Sequence, residues 1–174
     1  MMDPHVPILL IGYRGTGKST VAKLLAARLG RDAVDADDEI ERRAGQSIAA
    51  IFAEQGEVAF RDLETNVVDE LSGRRRVVIS LGGGAVLRAA NRAAIRGGGQ
   101  VVWLTARVDT IEARIAADAT TALRRPDLTA AGGRAEIERL LAEREPMYRE
   151  CATLIVATDE KTAEKVADEI LAQL

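Results

Sequence analysis

The most informative stretch of this 174-residue chain is ILLIGYRGTGKST, residues 8–20. Its first four residues form an apolar run typical of a buried strand, and the segment after it has the spacing of a helix. Between them, Gly12 to Ser19 match the pattern G-x-x-x-x-G-K-[ST]. Such a glycine-rich turn lets backbone amides surround phosphate oxygens at a helix N-terminus. We expect Lys18 to reach the β- and γ-phosphates of a nucleotide and Ser19 to bind Mg²⁺.

The rest of the chain predicts an α/β fold. Apolar runs at residues 77–81, 101–104 and 154–156 lack alternation, which is typical of strands buried on both faces of a parallel sheet. A weaker strand is predicted at Ala33 and Val34, and helical spacing lies between the strands. Strands that alternate with helices predict right-handed crossovers, with helices on both faces of the sheet.

Two segments interrupt this alternation within a chain that we interpret as one domain, residues 1–174. Residues 38–71 have helical spacing with no intervening strand, which predicts an inserted helical subdomain. Residues from about 118 to 134 are rich in Ala, Thr and Gly and lack apolar periodicity, so we expect a loop or lid there.

The composition excludes several kinds of chemistry. With one histidine and one cysteine, a disulfide framework, a Cys/His zinc cluster and a Ser-His-Asp triad are not expected. Lys and Arg number 24 against 27 Asp and Glu, and aromatic residues make up 3%, so we expect no nucleic-acid partner. The apolar run near the N-terminus is too short for a membrane span, and we expect a cytoplasmic protein with no membrane partner.

Carboxylates follow the second predicted strand, where ligands of open α/β sheets bind. Strand alternation would put Asp35 and Asp37 on one side. One of them could hold Mg²⁺ through water, and the other could orient or deprotonate an acceptor hydroxyl. For Asp38 we favour a structural role as the N-cap of the following helix.

A run of three glycines, Gly82, Gly83 and Gly84, follows the third predicted strand and would let the backbone lie against a ligand.

The guanine-selecting pattern N-K-x-D is absent, because neither Asn66 nor Asn91 is followed by lysine. A compact chain with a helical insert and a lid favours a kinase that closes over a small acceptor and excludes water.

Three further motifs are FRDLE at residues 60–64, RP at residues 125–126 and REPMY at residues 144–148. With the phosphate loop, the D-x-D at Asp35 and the glycine run, they make the sequence resemble the shikimate kinase family of P-loop kinases nearly from end to end. The resemblance implies three layers, α/β/α, around a five-stranded parallel sheet. It also implies transfer of a phosphoryl group from ATP, with Mg²⁺, to the 3-hydroxyl of shikimate.

The resemblance also implies site residues. Those implied for the nucleotide are Gly12, Gly15, Thr16, Gly17, Lys18, Ser19, Thr20 and Arg125. Those implied for shikimate are Asp37, Arg61, Gly82, Gly83, Gly84 and Arg144, with Glu64 supporting the site. Ser19 and Asp35 are implied for the metal, with Ser80 close by, and Lys18, Asp37 and Arg125 for catalysis.

The sequence departs from the family's pattern in the lid. Many members have an adenine-stacking arginine seven residues before the RP arginine, whereas this chain has Asp118 there, and Arg114 is a candidate substitute. We expect a monomer whose only partner is its small-molecule substrate. Two alternatives remain open: a related sugar-acid kinase such as gluconate kinase, and a non-catalytic nucleotide-binding regulator.

Overall fold

A computed structural model describes residues 5–118 and 132–174 of the chain. The strands are β1 (Ile8–Ile11), β2 (Asp32–Asp35), β3 (Val77–Ser80), β4 (Gln100–Thr105) and β5 (Leu154–Ala157). The described helices are α1 (Lys18–Leu29), α2 (Ala36–Ala44), α3 (Ile48–Ser72), α4 (Ala89–Gly98), α5 (Val108–Ala117), α6 (Gly133–Cys151) and α7 (Ala163–Leu171). The predicted α/β fold with a five-stranded parallel sheet is confirmed.

The sheet has the order β2-β3-β1-β4-β5, and every neighbouring pair is parallel. Strand β1 therefore lies at the centre, and the chain continues to one side for β2 and β3 and to the other for β4 and β5. Ligands of open α/β sheets bind where the strand order reverses, beyond the carboxyl ends of the strands. The loop after β1 begins at that point.

The three central strands, β1, β3 and β4, are buried on both faces, as their unbroken apolar runs predict. The same prediction was wrong for residues 154–156, because β5 lies at the edge of the sheet and Ile155 is 45% exposed. Along β1, Leu9 and Ile11 pack with α2, α3, α4 and α6 on one face. Ile8 and Leu10 pack with α1 and α7 on the other. All four side chains are fully buried, so the strand that carries the phosphate loop is held rigidly from both sides.

The predicted helical insert corresponds to α2 and α3. Helix α2 begins at Ala36, two residues earlier than predicted, and its N-cap is Asp35, whose side chain accepts from the amide of Asp37. The prediction that Asp38 is the N-cap was wrong, because the strand ends at Asp35 and the helix starts at once. Strand alternation consequently does not apply to Asp37, which lies in the first turn of α2.

Helix α3 is interrupted at Gly56, which has a φ of 82° and so breaks the helical backbone. The second part of α3 carries the FRDLE motif.

Of the segment predicted as a lid, about 118–134, residues 119–131 lie outside the described residues, and α6 begins at Gly133. Among the helices in the described parts of the chain, none is long and apolar enough to cross a membrane.

Candidate functional site

The loop between β1 and α1 is closed by its own lysine. The Nζ atom of Lys18 donates to the carbonyl oxygens of Gly12, at 2.8 Å, and Tyr13, at 2.9 Å. Gly17 caps α1 in the left-handed conformation. The free amides at the start of α1 and the helix dipole both favour an anion at this point.

Gly12 is required by close packing of the backbone. Its φ is 139°, and a side chain there would collide with the carbonyl oxygen of Leu104 at the end of β4. The first glycine of the motif thus lets the loop turn away from β1 beside the neighbouring strand.

A cavity of about 420 Å³ opens at the carboxyl ends of β1, β2 and β3. Nine residues that the sequence predicts for the site line it: Gly15, Gly17, Lys18, Ser19, Thr20, Asp35, Asp37, Gly82 and Gly83. Gly12 and Thr16 belong to the loop but not to the cavity wall, and the Thr16 hydroxyl donates within the loop to the carbonyl oxygen of Tyr13 at 2.8 Å. Arg125 lies outside the described residues.

Oxygen donors meet at one corner of this cavity. The Ser19 hydroxyl donates to Oδ2 of Asp35 at 2.6 Å, and its oxygen lies 3.3 Å from Oγ of Ser80. Asp35 and Ser80 are register partners at the ends of β2 and β3, so the sheet itself brings them together. Mg²⁺ prefers hard oxygen donors and is usually held by one or two carboxylates plus phosphates. The donor set therefore fits Mg²⁺ bound together with a nucleotide, and the described residues contain no separate cluster of three metal-binding side chains.

Arg61 is a buried arginine beside the glycine run. Its Nη1 donates to Oε2 of Glu64 at 2.6 Å, and its Nε and Nη2 contact Glu57 at 3.4 and 3.3 Å. A Cβ atom placed on Gly84 would lie 2.5 Å from Nη1 of Arg61. The absence of a side chain at Gly84 therefore makes room for the guanidinium group.

Arg144 reaches the same run of glycines from α6. A Cβ atom on Gly83 would lie 3.6 Å from its Nη1, and its guanidinium carbon lies 5.9 Å from the centre of the Tyr13 ring. Arg144 is 5% exposed, and its Nε has no hydrogen-bond partner among the described residues. The hydroxyl of Tyr148 donates to the carbonyl oxygen of Gly83 at 2.5 Å and so joins α6 to the glycine run. Two buried arginines thus meet adjacent glycines at the edge of the phosphate cavity.

Arg114 and Asp118 also line the cavity. The guanidinium group of Arg114 donates to the carbonyl oxygen of Gly15 at 3.2 Å and to the carbonyl and hydroxyl oxygens of Thr158, both at 2.9 Å. Arg114 is thereby held on the phosphate loop, next to the cavity. From this position Arg114 remains a candidate to contact the nucleotide, in place of the adenine-stacking arginine whose position Asp118 occupies.

One buried charged contact near the site was not predicted from the sequence. Nη2 of Arg14 donates to Oε2 of Glu136 at 3.3 Å, and Glu136 is fully buried at the start of α6. Burial raises the pKa of the Tyr13 phenol, while the positive charges of Arg14 and Arg144 act in the opposite direction. The third position of the phosphate loop could have drawn attention to Arg14, but no motif distinguishes Glu136 from the other acidic residues of the chain.

This chain matches a family model and is similar to proteins of that family in sequence and in structure. The family model described as shikimate kinase matches residues 14–174. A shikimate kinase from Rhodopirellula baltica is 49% identical over 164 residues, which cover 94% of this chain and 88% of that protein. The structure of shikimate kinase from Acinetobacter baumannii in complex with shikimate is 38% identical, with a TM-score of 0.90 over 97% of this chain and 92% of that one. A gluconokinase from Sinorhizobium meliloti has a TM-score of 0.61 at 17% identity, covering 96% of this chain and 90% of that one, and shares the fold alone.

Proposed function

The chain belongs to the shikimate kinase family, and we propose that it transfers the γ-phosphoryl group of ATP to the 3-hydroxyl of shikimate. The products are shikimate 3-phosphate and ADP. Relatives named shikimate kinase match nearly the whole of this chain, and one solved relative is in complex with shikimate.

The observation that carries this proposal is the pair of buried arginines beside Gly83 and Gly84. Arg61 and Arg144 are 6% and 5% exposed, and buried guanidinium groups need anionic partners. Arg61 already has Glu64 and Glu57, whereas Nε of Arg144 has no hydrogen-bond partner among the described residues. A small carboxylate such as shikimate would supply that partner, and planar guanidinium groups match carboxylate geometry better than lysine does.

The roles of the remaining residues follow from their positions around the cavity. Lys18, at the start of α1, would neutralise charge on the β- and γ-phosphates. Asp37, in the first turn of α2, would orient the acceptor hydroxyl and take its proton as the new bond to phosphorus forms. Phosphoryl transfer depends mainly on such positioning and charge neutralisation. We assign Arg125 to the transferred phosphoryl group from its motif alone.

The proposal includes Mg²⁺ with ATP. Ser19 and Asp35 would hold the ion, with Ser80 beside them. Bound there, Mg²⁺ would supply charge neutralisation at the phosphates of ATP. We further propose a single-domain, monomeric enzyme that acts in the cytoplasm, and size-exclusion chromatography with light scattering tests the monomer.

An acceptor panel tests the proposed reaction. ADP release is measured with Mg·ATP and shikimate, gluconate or no acceptor. We expect turnover with shikimate only. Turnover with gluconate but not with shikimate would instead indicate a sugar-acid kinase, and tight ATP binding without transfer to any acceptor would indicate a regulator.

A matched pair of variants on α6 tests the carboxylate contact. Arg144→Ala should raise the KM for shikimate by at least about tenfold, since a charge-assisted hydrogen bond contributes about 1.5–3 kcal/mol. Arg149→Ala, one turn further and bonded to the exposed Glu145, should leave that KM unchanged. Equal effects of the two substitutions would contradict the role of Arg144.

A further inference from the structure

Of the charged side chains close to the site in residues 5–118 and 132–174, Glu136 is the least exposed. Its exposed fraction is 0%, and it lies in the first turn of α6. One carboxylate oxygen, Oε2, accepts from Nη2 of Arg14 at 3.3 Å. The other, Oε1, is buried with no hydrogen-bond partner among the described residues.

This arrangement is a poor way to stabilise a fold. A buried carboxylate loses its hydration, and a single ion pair that leaves one oxygen without a hydrogen bond does not recover that loss. An apolar residue of similar size at the start of α6 would be at least as stabilising, because Ile137 and Leu140 nearby pack with Tyr13 in an apolar cluster. Local departures of this kind are expected at functional sites.

The partner of Glu136 is placed to meet a transferred group. Arg14 is the third residue of the phosphate loop and lines the same cavity as Lys18 and Ser19. Its backbone nitrogen would lie 3.4 Å from a Cβ atom on Gly83, the glycine that Arg144 approaches. The backbone of Arg14 therefore lies where the phosphate loop comes closest to the glycines that we assign to the acceptor.

Arg14 differs from the loop's lysine in how it is held. The ammonium group of Lys18 is bonded to carbonyl oxygens of its own loop. The guanidinium group of Arg14 is bonded to Tyr13 in the same loop and also to another element, α6, through Glu136. A long arginine side chain loses considerable rotamer entropy when it is ordered. Because the carboxylate of Glu136 orders Arg14 before the reaction begins, less of that entropy is lost on the way to the transition state.

We propose that Glu136 is a positioning residue: its carboxylate holds the guanidinium group of Arg14 against the phosphoryl group as that group passes from ATP to the acceptor. This inference rests on the proposed function, since it requires a phosphoryl group to pass through this cavity. It adds Arg14 to the described cations that we assign to the reaction, Lys18, Arg61 and Arg144, and gives Glu136 a role that acts through Arg14 alone.

The test is a double-mutant cycle with Arg14→Met, Glu136→Gln and the double variant. Glu138→Gln is the matched control, because Glu138 lies on the same helix in an exposed pair with Arg134. Three quantities are measured for each protein: kcat and KM with shikimate, the midpoint of thermal unfolding, and the Kd for ADP with and without aluminium fluoride, a mimic of the transferred phosphoryl group. The Kd is measured by calorimetry and needs no acceptor.

We expect Arg14→Met and Glu136→Gln each to lower kcat about tenfold or more, as loss of one charge-assisted contact in the transition state requires. The double variant should be no slower than Arg14→Met, and the KM for shikimate should change less than twofold. Both single variants should weaken ADP with aluminium fluoride while leaving ADP alone within twofold. Glu138→Gln should match the parent protein throughout.

Other outcomes would overturn the inference. If Glu136→Gln lowers kcat as strongly in the Arg14→Met background as in the parent protein, Glu136 does not act through Arg14. If neither variant weakens the aluminium fluoride complex, Arg14 does not meet the phosphoryl group. Should Glu136→Gln fail to fold, Glu136→Asp keeps the charge but shortens its reach, and an unchanged kcat and unchanged fluoride complex there would also refute the inference. If the parent protein does not phosphorylate shikimate, the proposed acceptor fails, while the fluoride measurement still decides the role of the pair.

Discussion

Gly84→Ala is the substitution that most sharply tests how the acceptor is bound. The added Cβ atom would lie 2.5 Å from Nη1, 2.6 Å from Nη2 and 2.9 Å from Cζ of Arg61. Ordinary contacts with carbon begin near 3.4 Å, so the guanidinium group must move by about 1 Å. The φ of Gly84 is not in the left-handed region, and alanine can adopt its backbone conformation.

The size of the effect follows from what Arg61 would lose. The displaced group is the end of a flexible side chain, so the fold can adjust at modest cost. The contact between Arg61 and Glu64 at 2.6 Å opposes the movement of the guanidinium group. Hydrogen bonds from that group to the carboxylate of shikimate require good alignment, which the movement would disturb. Loss of about 1.5–3 kcal/mol of acceptor binding raises the KM for shikimate by roughly 10- to 150-fold.

The assay is steady-state kinetics with shikimate varied at saturating Mg·ATP, together with the ATP Kd in the absence of acceptor. Gly97→Ala is the control, because a Cβ atom there meets nothing within 4 Å. We expect Gly84→Ala to raise the shikimate KM with the ATP Kd within twofold, and Gly97→Ala to change neither. A shikimate KM within twofold of the parent value for Gly84→Ala would refute the placement of the acceptor beside Arg61.

Three further results are expected. Lys18→Ala should lower kcat by about 10³-fold or more, since it removes charge stabilisation at the transferred phosphate, and a near-normal kcat would refute that role. Asp35→Asn should raise the Mg²⁺ concentration for half-maximal activity about tenfold while leaving the unfolding midpoint within about 2 °C, because asparagine caps a helix as well as aspartate does. An unchanged Mg²⁺ requirement would remove Asp35 from the metal site. Burial raises the pKa of the Cys151 thiol to about 11, so iodoacetamide at pH 8 should modify the unfolded chain but not the folded protein; rapid modification of the folded protein would contradict that burial.

The strands were the most predictable part of the fold. Runs such as Ile8–Ile11 are apolar on both faces, and burial on both sides of a parallel sheet requires that pattern. Boundaries were less predictable where polar residues end an element. Asp35 ends β2 and caps α2 at the same time, and propensity alone does not distinguish that junction from a cap three residues later at Asp38.

The site was predictable where a motif constrains the backbone, and less so where charges meet across the fold. The glycine loop and the D-x-D motif could be placed because their strands end at one edge of the sheet. The approach of Arg61 and Arg144 to neighbouring glycines depends on the packing of α3 and α6, which no local pattern records. The contact between Arg14 and Glu136 spans 122 positions in the chain and depends on burial, and no local pattern in the sequence predicted it.

The identity of the product shows whether this protein phosphorylates the 3-hydroxyl of shikimate. The protein is incubated with Mg·ATP and shikimate, and the phosphorylated product is examined by ³¹P and ¹H NMR alongside ADP measurement. We expect one phosphate per ADP formed, attached to the 3-hydroxyl of shikimate. ADP formation that does not depend on shikimate, or a phosphate at another hydroxyl, would contradict it.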